Sequence, residues 1–320
     1  MGTVLKVLRF AAISAGIYLL IAGGLILSQW PVGKVEGEGL AFEKLVFDHV
    51  AIKPERYTAR DGTTMNVRVR GGDGPLVVIV HGSGGHGGGY DWLAEQISLT
   101  GAEVLLPDLR GHFGADGRSG DVDYIGQYED DLADLIAKYR AEGQKVVMVG
   151  HSSGGGLVTR FAGGDHGEML DGAILLAPFL KYNAPTMREN AGGWGHVLTR
   201  RMIGLSMLNN VGITLANGAT VLQFNLPEGR LAETMTGAYS YRLNTSYAPR
   251  ADYFADIAAL PKFKLIVGAD DEAFRAQEYK TLMTGVTDKG SYHVLDGVSH
   301  LDVFLQDQTA ALIAEFLGGV

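Results

Sequence analysis

The chain contains no cysteine. That absence excludes disulfides, thiolate metal sites and cysteine nucleophiles together. Positive charge is short as well: 27 Lys and Arg stand against 36 Asp and Glu, a net charge of −9. With no Lys/Arg-rich run to offset it, this balance argues against a nucleic-acid partner. No pair of histidines has ligand spacing on a recognisable helix, which argues against metal-assisted hydrolysis. No Gly-Lys-Ser/Thr follows a glycine-rich turn, so a phosphate-cradling P-loop is excluded. What is there is an ordinary globular composition, 46% apolar and 20% charged over 320 residues. That is enough for one large domain or two small ones.

Charge is also missing locally. Phe10 to Leu27 carries none, with Lys6 and Arg9 before it and Gln29, Trp30 and Lys34 after it. At about 1.5 Å per residue a helix of this length spans roughly the hydrocarbon core of a bilayer. The run exceeds the apolar region of a usual signal peptide, and no small-x-small cleavage site stands out after it. Residues 1–30 are therefore expected to be an uncleaved single-pass anchor, with secretion after signal cleavage as the alternative. The preceding positive charges predict a cytoplasmic N-terminus and an extracytoplasmic remainder.

Residues 31–46 form a Gly-rich linker. From Phe47 onward the pattern changes to short extended runs. Phe47–Thr58 and Met65–Gly71 bracket the Asp61-Gly62 turn as a β pair. Pro75–Val80, Glu103–Pro107, Val146–Val149, Ala173–Ala177, Lys264–Gly268 and Ser291–Leu295 are apolar runs of strand length. Continuous apolarity suits strands buried on both faces of a mostly parallel sheet. Helical patterns alternate with them, as in Leu132, Leu135, Ile136 and Tyr139, and in Leu301, Phe304, Leu305, Leu312 and Phe316. Eight strands with intervening helices predict a doubly wound α/β domain over 47–320. Between about 181 and 261 no β-type run follows the βα rhythm; an insertion of that length predicts a cap over the site. Its Tyr239, Tyr241, Tyr247 and Tyr253 are each expected to pack the cap's own small core.

In such a fold, chemistry belongs at the carboxyl ends of strands. The run Val146–Val149 breaks into Gly150-His151-Ser152-Ser153-Gly154 and then a helical segment. This is G-x-S-x-G, a strained turn that lifts a serine hydroxyl clear of its backbone. In a chain with 46 Gly the pattern alone is weak. Acyl transfer by Ser152 further needs a base, a carboxylate to orient that base, and amides to hold an oxyanion. Lys264–Gly268 ends in Ala269-Asp270-Asp271-Glu272; Asp271 is the expected acid and Asp270 its competitor, while Asp270 and Glu272 are each expected in a solvated loop or as a helix N-cap. Of nine histidines, only His300 sits in a loop directly after a late strand. His293 lies within that strand. Pro75–Val80 leads into His81-Gly82-Ser83-Gly84-Gly85, so the amides of Ser83 and Ser153 are the expected oxyanion donors.

These residues carry a resemblance. His81-Gly82, Pro107-Asp108-Leu109-Arg110-Gly111-His112, Gly150 to Gly154, Asp271 and Gly297 to His300 resemble an α/β-hydrolase, closest to the monoacylglycerol lipase, lysophospholipase and serine aminopeptidase-like group. The resemblance covers about Phe47 to Val320. It implies ester hydrolysis through an acyl-serine by Ser152, His300 and Asp271, without metal or cofactor. The anchor together with a lipophilic cap favours lipid-like acyl esters as substrates. The family's usual R-G-H-G is here interrupted by Phe113. Two alternatives stay open. Gly82-Ser83-Gly84-Gly85-His86-Gly87, with Asp108 at the end of the next strand, fits a dinucleotide fingerprint and hence an oxidoreductase. A catalytically inactive, membrane-tethered binding protein of the same fold is the other.

Overall fold

The computed structural model describes residues 2–33, 39–42, 51–229 and 233–320. Most of the expected linker, and residues 47–50 of the first expected strand, lie outside them. Eight strands form the main sheet: β1 Glu55–Thr58, β2 Thr64–Arg70, β3 Leu76–Val80, β4 Glu103–Pro107, β5 Val146–His151, β6 Gly172–Leu176, β10 Phe263–Gly268 and β11 Gly290–Leu295. Three more, β7 Gly195–Val197, β8 Thr220–Phe224 and β9 Ala238–Ser240, lie in the insertion. The main sheet runs β1-β2-β4-β3-β5-β6-β10-β11. Only β1–β2 and β2–β4 pair antiparallel; from β4 to β11 every pairing is parallel. This is the doubly wound, mostly parallel architecture expected from the apolar runs, and the α/β-hydrolase fold that the resemblance implies.

Every residue of β3, β5, β6 and β10 is buried. That is why these runs lack the alternation of a half-exposed strand: helices must cover both faces. The edge strand β11 is buried only at its last residue. Helix α2, Asp91–Ser98, follows β3. Helix α3, Gln127–Tyr139, turns Leu132, Leu135 and Ile136 inward, as their spacing predicts. Helix α4, Ser153–Ala162, leaves the end of β5 directly.

Two expectations need correction. The insertion does contain β structure: β7, β8 and β9 pair antiparallel in a separate small sheet. Pieces of three to five residues are too short to stand out as apolar runs. The last helical pattern is also not continuous. A 3₁₀ turn over Val303–Leu305 stops at Gln306, whose extended backbone precedes the final helix Asp307–Leu317. The Asp302 carboxylate accepts from the amide and hydroxyl of Ser299, and Thr309 bonds the Val303 carbonyl, so local side chains compete with helix continuation.

At the other end, α1 (Gly2–Leu27) is long and apolar enough to cross a membrane, by length and composition. It packs along the cap helix α5, Thr199–Asn210. Gly204 permits this approach, because a Cβ there would meet the Ala22 carbonyl oxygen at 2.6 Å. The Tyr18 hydroxyl donates to the Met207 carbonyl at 2.9 Å. Arg201 is fully buried at the same junction; its guanidinium donates to the carbonyls of Ile26, Gln29 and Thr220.

Candidate active site

Strand β5 delivers Ser152 at its carboxyl end with φ +55° and ψ −122°, a region that side chains other than glycine seldom occupy. The glycines around it explain why the turn can be so tight. A Cβ on Gly150 would lie 2.4 Å from the Gly154 carbonyl oxygen, and one on Gly154 would lie 2.2 Å from that of Val80. Neither is a flexible group that could move aside. Sharp strand reversal, and with it the pose of Ser152, depends on their having no side chains.

The structure brings Ser152, His300 and Asp271 together. His300 Nε2 lies 3.0 Å from the Ser152 hydroxyl oxygen, and His300 Nδ1 lies 2.8 Å from Asp271 Oδ2. All three residues are buried. The second oxygen of Asp271 accepts the amides of Ala273 and Phe274 at 2.8 and 2.7 Å, so the carboxylate cannot turn away from the imidazole. Burial alone would push His300 down. The charge and hydrogen bond of Asp271, with the charge of Glu272, outweigh it and hold His300 above its ordinary value. Asp270, the competing acid, is exposed and outside this chain of contacts. His293 lies in β11, away from the serine.

Ser83 and Ser152 line one pocket together with Gly82, His151 and His300. Ser153 opens α4, so its amide is one of the free donors at a helix N-terminus. The loop holding Ser83 is fixed from two sides. The Gly84 amide donates to the Tyr239 hydroxyl at 2.6 Å, and that hydroxyl lies 2.5 Å from His112 Nε2. The Gly82 amide donates to the Tyr90 hydroxyl at 3.1 Å.

Several supporting residues escape sequence reading. Tyr90 donates to His151 Nδ1 at 2.8 Å, leaving His151 Nε2 to donate to the His300 carbonyl at 2.9 Å. His151 is therefore neutral, its pKa pushed well down by burial and by His300. On the opposite side of His300 stands Glu272, which is half-buried rather than solvated. Its carboxylate accepts the His300 amide at 2.9 Å and the Ala41 amide at 3.0 Å. Both backbone groups of the histidine are thus held by side chains. Tyr239 and Tyr247 also correct the expectation that cap tyrosines serve the cap alone: Tyr247 bonds the His81 carbonyl. Tyr241 does pack with Leu205 and Val221 in the cap.

Replacing Glu272 by alanine is expected to lower kcat by about five- to thirtyfold through loss of one charge-assisted bond to the His300 backbone. Removing its negative charge should also move the acid limb of the pH–rate profile downward. An unchanged acid limb would leave Glu272 with packing alone.

Asp108, the residue a dinucleotide ribose would need, is fully buried. Its carboxylate accepts Arg68 Nη1 and the Gly87 amide, each at 2.8 Å. The additional Phe113 is absorbed in an exposed turn beside His86.

Comparison with known proteins agrees with this architecture. The profile of the family described as serine aminopeptidase, S33, matches residues 74–304. A monoglyceride lipase homolog of monkeypox virus is 33% identical over 34% of this chain and 40% of its own. A probable protein phosphatase methylesterase of Caenorhabditis elegans is 22% identical over 66% and 61%. The chain thus matches less than two thirds of the length of either relative. Among solved structures, a soluble variant of monoglyceride lipase from Saccharomyces cerevisiae superposes with a TM-score of 0.65 at 16% identity, covering 86% of this chain and 97% of that one. With the family profile spanning most of the sheet and every strand end that carries a site residue, the chain belongs to the serine aminopeptidase S33 family of α/β-hydrolases.

Proposed function

We propose that the protein is a serine hydrolase that cleaves carboxylic esters through an acyl-serine. The observation that carries this reading is the unbroken contact from Ser152 through His300 to Asp271. His300 takes the hydroxyl proton as Ser152 attacks the ester carbonyl, and Asp271 orients and stabilises the imidazolium. The amides of Ser83 and Ser153 receive the oxyanion. The alcohol leaves with the proton from His300. Water, deprotonated by the same histidine, then releases the acid.

The pocket above Ser152 bears on substrate class. Leu40, Phe42, Trp194, Met235, Leu301 and Phe304 line it, and no lining residue among those described is a carboxylate. A substrate with a free ammonium group would lose its water there without gaining a counter-charge. An apolar acyl chain loses nothing. This favours a lipid-like acyl ester over an amino-terminal peptide, and it agrees with relatives described as a monoglyceride lipase homolog and a phospholipase of Bacillus subtilis.

We also read α1 as a retained anchor with the hydrolase domain outside the cytoplasm. In support, Ile26 packs against the cap cluster of Leu205, Val221 and Tyr241, and Arg201 bonds to carbonyls at the end of α1. Cleavage before the linker would leave both uncovered.

The deciding experiment treats the full-length protein in detergent with a fluorophosphonate probe and maps the adduct by peptide mass spectrometry. A single adduct on Ser152 is expected. A folded sample that stays unlabelled would contradict an activated serine.

A further inference from the structure

The cap carries a stretch that neither the hydrolase fold nor the proposed chemistry uses. From Met202 to Pro227 there is no charged residue. It comprises most of α5, the turn after it, and β8. Four apolar side chains project from it: Ile203, Val211, Ile213 and Leu215, the last 98% exposed. In water such a concentration on one projecting tip is unfavourable, and nothing in the described fold covers it.

Its position relative to α1 supplies an occupant. Gly204 lies against Ala22 and Ile26, Met207 receives the Tyr18 hydroxyl, and Val211 and Ile213 form a groove with Ser14, Ala15, Tyr18 and Leu19. Helix α5 therefore runs antiparallel to α1, back from its domain end toward its N-terminus. From Leu27 to Ala15 at about 1.5 Å per residue this is about 18 Å, slightly more than half of a hydrocarbon core about 30 Å thick. If α1 spans a bilayer, the tip of the cap enters from the domain side and reaches about the bilayer midplane.

The local chemistry suits that environment. Asn209 and Asn217 bond each other's side-chain amides at 2.7 and 2.9 Å, and Ser206 bonds the Met202 carbonyl and the Tyr241 hydroxyl. The amides of Val211 and Ile213 both bond the Leu208 carbonyl and that of Gly212 bonds the Asn209 carbonyl, so the first half of the turn satisfies its donors internally, which hydrocarbon favours. The exposed polar side chains of the tip, Asn210 and Thr214, carry no charge. On the α5 side charge returns at Arg200 and Arg201, level with Gln29 and Trp30. There the Arg201 guanidinium sits 5.3 Å above the Trp30 ring. A cation and an indole at the end of an apolar helix pair mark a membrane–water boundary.

We propose that α5 and the turn Val211–Leu215 form a second membrane-inserted element, re-entrant from the domain side to about the midplane beside α1, that holds the cap against the bilayer. The proposal rests on the reading of α1 as an anchor. Its ligand surface is the acyl-chain region of a phospholipid leaflet.

The cysteine-free chain allows clean site-directed labelling. Full-length variants Leu215→Cys in the tip, Leu20→Cys in α1 and Leu99→Cys on the water-facing side are spin-labelled and reconstituted in phosphatidylcholine–phosphatidylglycerol vesicles. All three side chains are exposed, so a label displaces no core contact; thermal unfolding checks each fold. At positions 215 and 20, oxygen should relax the label several-fold more than a water-soluble nickel chelate does, with the reverse at 99. A label at 215 that behaves like the one at 99, while 20 stays lipid-exposed, overturns the re-entrant element alone. Nickel-accessible labels at both 20 and 215 overturn the anchor reading and the proposal with it.

Discussion

Ser152→Ala should reduce ester turnover by at least about a thousandfold, because the nucleophile and its proton are lost together. Its fold should survive. Alanine keeps the Cβ and can take the same backbone pose, and among the described residues the only side-chain bond removed is the one to His300 Nε2. Residual catalysis from the oxyanion amides and from binding would remain, as is usual when one member of such a group is removed. Steady-state rates on a short acyl ester, alongside a thermal melt, test both halves. Activity within tenfold of the parent from a protein with an unchanged melting temperature would remove Ser152 from the chemistry.

The second large effect is expected at Asp271. Asparagine there can still accept the amides of Ala273 and Phe274 through its oxygen, which turns its NH2 toward His300 Nδ1. The imidazole must then carry its proton on Nε2, facing Ser152, and can no longer accept the serine proton. A fall of about 10⁴-fold in kcat follows from such a tautomer reversal. The variant should also carry a distinct pH signature. Asp271 and Glu272 hold His300 above its ordinary value, and only the neutral imidazole is a base, so the parent loses activity as pH drops through that raised pKa. Without the Asp271 charge, burial dominates and the acid limb should move to lower pH. Asp270→Asn is the control: this exposed neighbour should leave rate and limb unchanged. Equal losses at the two positions would mean that the acid has been misplaced.

Some of this was legible in the chain because it is written locally. The apolar runs that became β3, β5, β6 and β10 are continuous since both faces of those strands are covered, and β3 and β5 lead into glycine-rich turns. Ser152, Asp271 and His300 follow the ends of β5, β10 and β11 in chain order, so proximity could be inferred from topology alone. What holds them could not. Glu272 reads as one acid among three until folding sets its carboxylate between the amides of Ala41 and His300. His151 reads as the variable residue of the serine motif, yet it supports the His300 carbonyl across 149 positions. Tyr239 meets Gly84 across 155. No window of sequence contains such pairs. The strands of the cap failed for another reason: at three to five residues, with a sheet of their own, they leave no periodicity to read.

One consequence concerns moving parts. Arg201 ties together the end of α1, the helix on which it sits and the strand that follows in the cap sheet, through the carbonyls of Ile26, Gln29 and Thr220. At the opposite margin Tyr239 and Tyr247 clip the cap to the loops at Gly84 and His81. Among the described residues, a plate fastened along both margins offers no hinge line. It cannot swing open as a rigid body without breaking buried bonds on one side or dragging α1 with it. Swinging the cap would therefore cost more than turning the side chains of Phe42, Trp194 and Met235 at the pocket wall, rotations that are also faster than domain closure.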